Sequence, residues 1–422
     1  MLNFQVIPGA LFYGNNPELY LLTMTPLLDN MELNSCAESE SMTKLHYTLP
    51  FVFVLIVLLT LFVSCGDDDD DDNDDSGVDD ADDDNTADDD DDDTGDDDDD
   101  DQWPGGDPNR YHWDGQTNPF YEGWFFRIAL PDGRSFGFIY CVQNPGATTI
   151  ESSGAYLVVA RSGGELLQET FEANAFLGNP ESFAVQIAGH SATEGHLDGE
   201  VHENGHDVTW DIDYEIIEPW TDTMGDFTNR PGLPVNWYVG ALRGKGSGAI
   251  EWDGEVISFT DAAVFQDHNW GDFFPSGYIW MQSQEFPDAD DALAVAGGAV
   301  GLVEAGMFVW RRGDELVEIR SQDFNAQFDF SSNFENGEVA VDIRSEGRRY
   351  VVTGFFNDDI PSILPAPMPE GYLPYTRMAL AGRIRVQAFV EDGGGWELVE
   401  EILADNAGVE MGGAYGPPID EE

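Results

Sequence analysis

The sequence predicts an all-β fold for residues 102–422, on three observations. Short runs with alternating apolar and polar residues recur in this part of the chain, as is typical of half-buried strands. Gly, Asp and Asn separate the runs at intervals of roughly 8–12 residues, as in sandwiches and barrels. No long amphipathic helical pattern is present. In addition to a hairpin near residue 130, strands are predicted in GAYLVVARSG, DVTWDIDYEII, GAIEWDGEVISFT, SGYIWMQSQEF, LAVAGGAVGLV, AGMFVWRRGDELVEIR, VAVDIRSEGRRYVVTGFF and GRIRVQAFVED.

An export signal is predicted in MTKLHYTLPFVFVLIVLLTLFVSC, residues 42–65. A lysine near its start precedes an apolar run, which ends at Ser64 and Cys65. The run is shorter than the roughly 20 residues of a membrane-spanning helix, and the layout is that of a secretory signal. The ending FVSC resembles a bacterial lipobox, although Phe62 stands where leucine is usual.

This signal defines the expected processing of the N-terminus. Translation is expected to start at Met42, so residues 1–41 are an untranslated extension, and residues 42–64 are a lipoprotein signal peptide. Cys65 is then the lipid-bearing first residue of the mature protein. We expect an exported protein that is lipid-anchored to a bacterial membrane, with the outer membrane preferred. A short uncleaved anchor is the alternative.

The next segment, residues 65–101, is predicted to be a disordered tether. Beyond Cys65 it consists almost entirely of aspartate and contains no lysine or arginine. Such a segment repels itself and has no apolar surface to bury. It contributes much of the formal net charge of −66, and the remainder of the chain is acidic as well. The charge argues against a nucleic-acid partner, because phosphate binding needs clustered lysine and arginine.

The clearest structural element is a hairpin in FYEGWFFRIALPDGRSFGFIYCVQ, residues 120–143. Pro131, Asp132 and Gly133 supply the turn between its strands. One face of both strands is apolar except for Glu122, so this face is expected to line a core. Its apolar members are Phe120, Trp124, Phe126 and Ile128 on the first strand, and Phe136, Phe138, Tyr140 and Val142 on the second.

Glu122 is out of place on that face. A buried carboxylate is costly unless it is paired, or it stays protonated with a raised pKa. One interpretation pairs Glu122 with Arg127 or Arg134, or places it at the rim of a barrel. The other makes Glu122 a functional acid.

Four of the seven histidines lie in GHSATEGHLDGEVHENGH, which raises the question of a metal site. However, His196 and His202 alternate with Leu197 and Val201, as on a strand with one solvent-facing side. The spacing H-E-x-x-H is absent. We therefore expect no metal here.

A second candidate site is the motif VFQDHNWGDFFP, residues 264–275. It places Asp267, His268 and Asn269 side by side in an aromatic run. The functional interpretation is a catalytic site. The structural alternative is a turn between strands, in which Asp267 caps backbone amides and pairs with His268.

Three blocks of the chain resemble the tocopherol cyclase family. RYHWDGQTNPFYEGWFFRIALPDGRSFGFIYCVQNPG resembles the opening of these cyclases, with its His-x-Asp-Gly segment and aromatic strand. SGAIEWDGEVISFTDAAVFQDHNWGDFFPSGYIWMQSQEF is similar to their second block, with Asn-Trp-Gly and Phe-Pro elements. ADNAGVEMGGAYG resembles their closing segment. The blocks occur in the family's order and cover about residues 103–416.

The resemblance implies two tandem lipocalin-like antiparallel β-barrels, which we expect in residues 102–262 and 263–422. It also implies a chemistry, in which the enzyme protonates a prenyl double bond and a phenolic oxygen traps the cation to close a chromanol ring. The related carotenoid 1,2-hydratases trap a similar cation with water. Such chemistry needs a strong, well-placed acid, aromatic faces and an apolar cavity, and neither a metal nor another cofactor.

Carried onto this sequence, the resemblance implies the site residues. Asp267 would donate the proton or charge His268, and His268 would relay or orient, with Glu122 as the rival acid. Plant cyclases tend to have Glu-Lys where this chain has Asp267-His268, and the Asp-His-Asn-Trp form is closer to the hydratases. Residues expected to contact the substrate are His112, Trp124, Asn269, Trp270, Tyr278, Trp280, Gln282, which could hydrogen-bond a quinol oxygen, and Glu410.

Three functions therefore remain open. The first is an isoprenoid-quinol cyclase, and the second is an isoprenoid hydratase on the same scaffold. The third is a non-catalytic lipid carrier, which the membrane anchor favours. All three predict a hydrophobic small molecule, a prenyl-quinol or another lipid, as the ligand.

Overall fold

The structure is a computed structural model that describes residues 107–147, 153–228, 234–300, 303–356, 359–417 and 419. The expected N-terminal extension, the signal peptide with Cys65 and the tether lie outside the described residues. The described part is almost entirely β, with three short 3₁₀ helices at Ala173–Ala175, Gly225–Phe227 and Phe334–Asn336. None of the helices in this part is long and apolar enough to span a membrane.

The first sheet has eleven strands, in the order β4-β3-β2-β1-β11-β10-β9-β8-β7-β6-β5. All of its pairings are antiparallel. Its strands are β1 (Tyr121–Ala129), β2 (Ser135–Gln143), β3 (Gly154–Arg161), β4 (Glu165–Phe171), β5 (Phe176–Gly178), β6 (Ala184–Ile187), β7 (His190–Thr193), β8 (His196–Glu203), β9 (His206–Trp220), β10 (Val235–Trp252) and β11 (Glu255–Gly271).

The second sheet has ten strands, in the order β15-β14-β13-β12-β21-β20-β18-β17-β16, with β19 paired to β20. Its strands are β12 (Gly277–Ser283), β13 (Ala292–Val300), β14 (Val303–Arg312), β15 (Glu315–Arg320), β16 (Gln327–Asn333), β17 (Glu338–Ser345), β18 (Arg348–Phe355), β19 (Ser362–Met368), β20 (Gly371–Asp392) and β21 (Gly395–Gly413).

Both sheets follow one plan, in which the first strand pairs with the second and also with the last. In the first sheet β1 lies between β2 and β11, and in the second β12 lies between β13 and β21. Each sheet curls into a half-barrel, which confirms the predicted all-β fold with two tandem antiparallel halves. The expected boundary between residues 262 and 263 falls within β11, which belongs wholly to the first sheet.

Three large apolar clusters and one small one, formed by Phe120, Tyr238 and Trp270, lie in the described part of the chain. One lies inside the first half-barrel and contains Trp124, Phe126 and Ile128 on β1, as the hairpin pattern predicted. A second lies inside the other half-barrel, around Ile279 and Met281. The third contains the opposite face of β1 and β11 together with residues of the second sheet, so it joins the two halves. Its members include Phe125, Trp220, Trp237, Phe265, Tyr278, Trp280, Met378 and Leu380.

Within the histidine-rich segment, His196–Glu203 forms strand β8, as predicted. Leu197 and Val201 are fully buried, whereas His196 and His202 lie on the other side. His196 pairs with Asp213 and His202 with Asp207, and these carboxylates are exposed.

Candidate active site

The motif at residues 264–275 is divided between two faces of one strand. Up to Gly271 it belongs to β11, where Asp267 lies opposite Phe125 and His268 lies opposite Trp124. Successive side chains of a strand point to opposite faces. Asp267 therefore faces the apolar cluster between the sheets, and His268 faces the core of the first half-barrel. Both the expected Asp267–His268 partnership and the alternative of a turn are wrong for this reason.

Asp267 is a buried carboxyl group held by two indole rings. The Nε1 of Trp237 donates to its Oδ2 at 2.8 Å, and the Nε1 of Trp280 donates to the same atom at 2.9 Å. Burial raises the pKa of Asp267 to about 7, aided by the charge of Glu410 and opposed by the two indole hydrogen bonds. Near neutral pH this residue can therefore give up a proton or accept one, as a general acid must.

Glu410 is a second carboxyl group with a similar pKa. It lies on β21, where the Tyr278 hydroxyl donates to its Oε1 and the Thr376 hydroxyl lies 3.0 Å from the same atom. Burial raises the pKa of Glu410 to about 7, against these hydrogen bonds. The Glu410 residue itself is partly exposed, whereas only 4% of Asp267 is accessible. Each of the two carboxyl groups can therefore gain or lose a proton near neutral pH.

The same interface contains buried polar groups without partners among the described residues. Both amide atoms of Gln282 are unpaired, as are the Tyr121 hydroxyl and the Oε1 of Gln143. Leaving such a group unsatisfied costs roughly 1–3 kcal/mol, so native proteins rarely do it without a reason. These groups can hydrogen-bond the hydroxyl or carbonyl groups of a ligand.

Aromatic rings line the rest of this face. Trp280 meets Phe125 and Phe265 edge to face, with centroids 5.7 and 5.5 Å apart. Trp220 and Trp237 are T-shaped at 5.8 Å. Asn269 lies on the same side of β11 as Asp267, beside Trp237 in register. Such rings present the electron-rich faces that attract a cation.

Glu122 forms a separate cluster on the other face of the first sheet. The backbone N–H of His112 donates to both of its oxygens, at 3.1 and 2.9 Å. The Nδ1 of His112 and the Nε2 of His268 each lie 2.8 Å from its Oε1. The predicted pairing with arginine is wrong, because Arg127 points to the opposite face and Arg134 pairs with Asp132 and Glu255.

Burial controls the protonation of this cluster. It raises the pKa of Glu122 well above its ordinary value, lowers that of His112 to about 3 and lowers that of His268 well below 6.5. Burial therefore favours the neutral forms of Glu122, His112 and His268. Trp124 stacks on His268 at 4.4 Å and Trp270 on His112 at 3.9 Å, which fixes both imidazoles.

Two imidazoles and one carboxylate also form a possible metal-ligand set. The ligand atoms of His112, Glu122 and His268 lie within 4.8 Å of one another. In the structure each histidine is instead bonded to the carboxyl group. The Nδ1 of His268 has no hydrogen-bond partner among the described residues. The four histidines that first suggested a metal lie elsewhere. The expectation that the chemistry needs no metal stays a prediction.

The structure thus divides the predicted residues into two groups. Around Glu122 it brings together His112, Trp124, His268 and Trp270, and around Asp267 it brings together Tyr278, Trp280 and Glu410, with Asn269 and Gln282 on the same side. Sequence reasoning missed Tyr121, Gln143, Trp237 and Thr376. Tyr121 is adjacent to Glu122 on β1, and adjacent side chains of a strand point to opposite faces. The strand pattern could therefore have placed Tyr121 on the same face as Phe125. No local signal marks Trp237 as a partner of Asp267.

The fold and this site define a class: an all-β protein of two half-barrels with protonatable carboxyl groups buried beside aromatic rings at their junction. The tocopherol cyclase-like family model matches residues 118–204 and 179–413, and the chain belongs to this family. Tocopherol cyclase of Zea mays is 25% identical over 368 residues, covering 72% of this chain and 77% of the relative. A protein of Oryza sativa subsp. japonica named as a probable tocopherol cyclase is 24% identical, with the same coverage.

Two solved structures match this chain at low sequence identity. The crystal structure of kievitone hydratase from Nectria haematococca has a TM-score of 0.42 and 12% identity, covering 72% of this chain and 93% of that one. The structure of CghA with Sch210972 has a TM-score of 0.40 and 13% identity, covering 71% and 90%.

Proposed function

We propose that the protein closes a chromanol ring on a prenylated quinol by protonating an alkene, with Asp267 as the acid. The observation that carries the proposal is one carboxyl group, buried between indole rings, whose pKa is raised to about 7. An alkene is a very weak base, so its protonation needs a neutral acid held close in an apolar site. Membership of the tocopherol cyclase-like family supports this substrate class.

The proposed steps balance without any co-reactant. Asp267 gives its proton to one alkene carbon, which forms a C–H bond and leaves a tertiary cation on the other carbon. The faces of Trp237 and Trp280 stabilise that cation. The phenolic oxygen then forms the C–O bond, and its proton returns to the Asp267 carboxylate. The product is an isomer of the substrate and the acid is restored.

The remaining polar groups have positioning roles in this proposal. The unpaired amide of Gln282 would bind a quinol oxygen, with the Tyr121 hydroxyl as a second partner. Glu410 lies nearer to solvent and would restore the proton of Asp267 if it is lost. Gln282 is fully buried, so substrate entry requires the two sheets to part locally at their junction.

The test compares Asp267→Asn with Glu122→Gln on a prenylated quinol, with the product identified by mass spectrometry. The amide oxygen of Asn can still accept both indole hydrogen bonds, so the variant should melt near the parent temperature. Loss of a general acid should reduce turnover by roughly 10²–10⁴-fold. Glu122→Gln is the matched control, because it removes a buried acid on the other face.

The outcomes separate the candidate functions. If Glu122→Gln alone abolishes turnover, the acid is Glu122 and the proposal for Asp267 fails. A product heavier by one water identifies a hydratase, which the Asp-His-Asn-Trp sequence of residues 267–270 favours. A lipid that co-purifies with the chain and is never converted identifies a carrier.

We also propose that the mature protein begins at a lipid-modified Cys65 and is held at a bacterial membrane. The apolar run that ends in FVSC supports this proposal. A membrane anchor would place the protein beside the bilayer in which a prenylated quinol resides.

A further inference from the structure

The second half-barrel contains a cavity of its own, at the end where the β14–β15 and β20–β21 hairpins lie. Its volume is about 240 Å³. Trp310, Tyr350 and Ala388 are its most buried lining residues and form its floor. Arg348, Glu315 and Val399 are exposed and lie at its mouth. The proposed active site contributes no residue to this cavity.

The floor presents an unused hydrogen-bond donor. Trp310 is only 3% exposed, and its indole Nε1 has no partner among the described residues. A buried indole N–H normally finds an acceptor, because an unmet donor in an apolar site is costly. The nearby Tyr350 hydroxyl accepts from Arg348 at 3.3 Å but does not accept from the Trp310 indole. An acceptor from a bound molecule would satisfy Trp310.

The charges around the cavity argue against an anionic ligand. Arg312 is paired with Asp291 at 2.6 Å and with Glu400 at 2.9 Å. Arg348 is paired with Glu315 at 3.0 Å. Both arginines are therefore neutralised, and carboxylates outnumber them in this group. The ligand that fits is uncharged.

We propose that this cavity binds a small neutral molecule with an apolar body and one oxygen acceptor, which takes the hydrogen bond of Trp310 Nε1. The apolar body would lie against the aliphatic part of the lining. The cavity is smaller than the about 300–1,000 Å³ of sites for drug-sized ligands, which limits the body to a short chain or a single ring. Its apolar lining residues are Val317, Ala388, Phe389, Val390 and Val399.

The probe is 2-heptanone, a neutral ketone, and heptanoate is the matched anion. In ¹⁵N-labelled protein the indole signal of Trp310 is the one missing from Trp310→Phe. We expect this signal to shift saturably with 2-heptanone. Trp310→Phe removes the donor and keeps an aromatic floor, so it should weaken 2-heptanone binding by roughly three- to tenfold, as measured by calorimetry. Trp396→Phe, at an exposed tryptophan of β21, should bind as the parent does.

Two further variants complete the design. Ala388→Phe should fill the floor and abolish binding while the second sheet still melts cooperatively. Asp267→Asn should bind 2-heptanone normally, so this result is independent of the proposed cyclase activity. The inference is overturned if 2-heptanone leaves the Trp310 signal in place, if Trp310→Phe binds equally well, or if heptanoate binds more tightly than the ketone.

Discussion

Two substitutions around Asp267 should move its pKa in opposite directions. Trp237→Phe removes one of two indole donors to Oδ2, which stabilise the ionised form, so the pKa of Asp267 should rise. Glu410→Gln removes a neighbouring charge that disfavours ionisation, so the pKa should fall. In the Gln variant, Tyr278 and Thr376 can still bond the amide oxygen, which keeps the local structure.

The size of the first change follows from the hydrogen bond that is lost. A hydrogen bond to a charged group contributes about 1.5–3 kcal/mol, and one pKa unit corresponds to about 1.4 kcal/mol. Trp237→Phe should therefore raise the pKa of Asp267 from about 7 to about 8 or 9. The fall in Glu410→Gln should be smaller, because the charge of Glu410 affects Asp267 less than the Trp237 hydrogen bond does.

The assay is a ¹³C NMR titration of the aspartate carboxyl groups, in which Asp267 is the signal missing from Asp267→Asn. The pH above which turnover declines should move with the same signs, because the acid must be protonated. Shifts in the same direction, or no shift in either variant, would refute the account of how the site sets this pKa.

The raised pKa of Asp267 also predicts how the free energy of unfolding depends on pH. The pKa of Asp267 is raised in the folded state from an ordinary value of 3.8 to about 7. The contribution of the Asp267 carboxyl to the free energy of unfolding is therefore fully present below about pH 4, and it is lost as the pH rises through about 7. The free energy of unfolding should fall over this range in the parent, and less steeply in Asp267→Asn. Equal slopes in urea titrations across pH would contradict the assignment.

Further predictions concern other parts of the chain. Cys65→Ala should lose diacylglycerol labelling and leave the membrane fraction, and persistent labelling would show that the lipidation proposal is wrong. Arg127→Met removes hydrogen bonds from β1 to the backbone of the second sheet, including the one to Leu380. The free energy of unfolding, measured in urea, should fall by about 3 kcal/mol. An unchanged value would show that Arg127 does not join the two sheets. Gln282→Leu should keep or raise thermal stability, because the amide of Gln282 has no partner among the described residues. The same substitution should raise KM for the quinol. A large loss of thermal stability would contradict this account of Gln282. Chelator treatment should leave the response of Trp fluorescence to a prenylated quinol unchanged, and a sensitive response would point to His112 and its neighbours.

The fold was largely predictable because strand periodicity is local. The alternation in residues 120–143 located the first hairpin and assigned Trp124 and Phe126 to a core. The two-residue period of a strand also explains why Asp267 and His268 point to opposite faces of β11. This division was missed because neither the catalytic interpretation nor the alternative of a turn treated residues 264–271 as one strand, whereas β11 continues to Gly271.

The contacts of the site were not predictable in the same way. Glu122 and His268 are hydrogen-bonded although they are 146 residues apart in the sequence. This contact depends on the register of β1 against β11. Asp267 meets Trp280 only because two half-barrels pack face to face. No spacing in the chain encodes that packing.

The pairing of first with last strands in each half has a consequence for the order of folding. The first sheet cannot complete its pairing until β11 has left the ribosome, and the second must wait for β21. Such distant contacts form slowly, since a long loop must close before they give any stabilisation. The first sheet can complete its strand pairing during synthesis, and Asp267 then lies on its outer face until the second sheet packs against it. Glu410 lies on β21, so the two carboxyl groups of the proposed site come together only after β21 has left the ribosome.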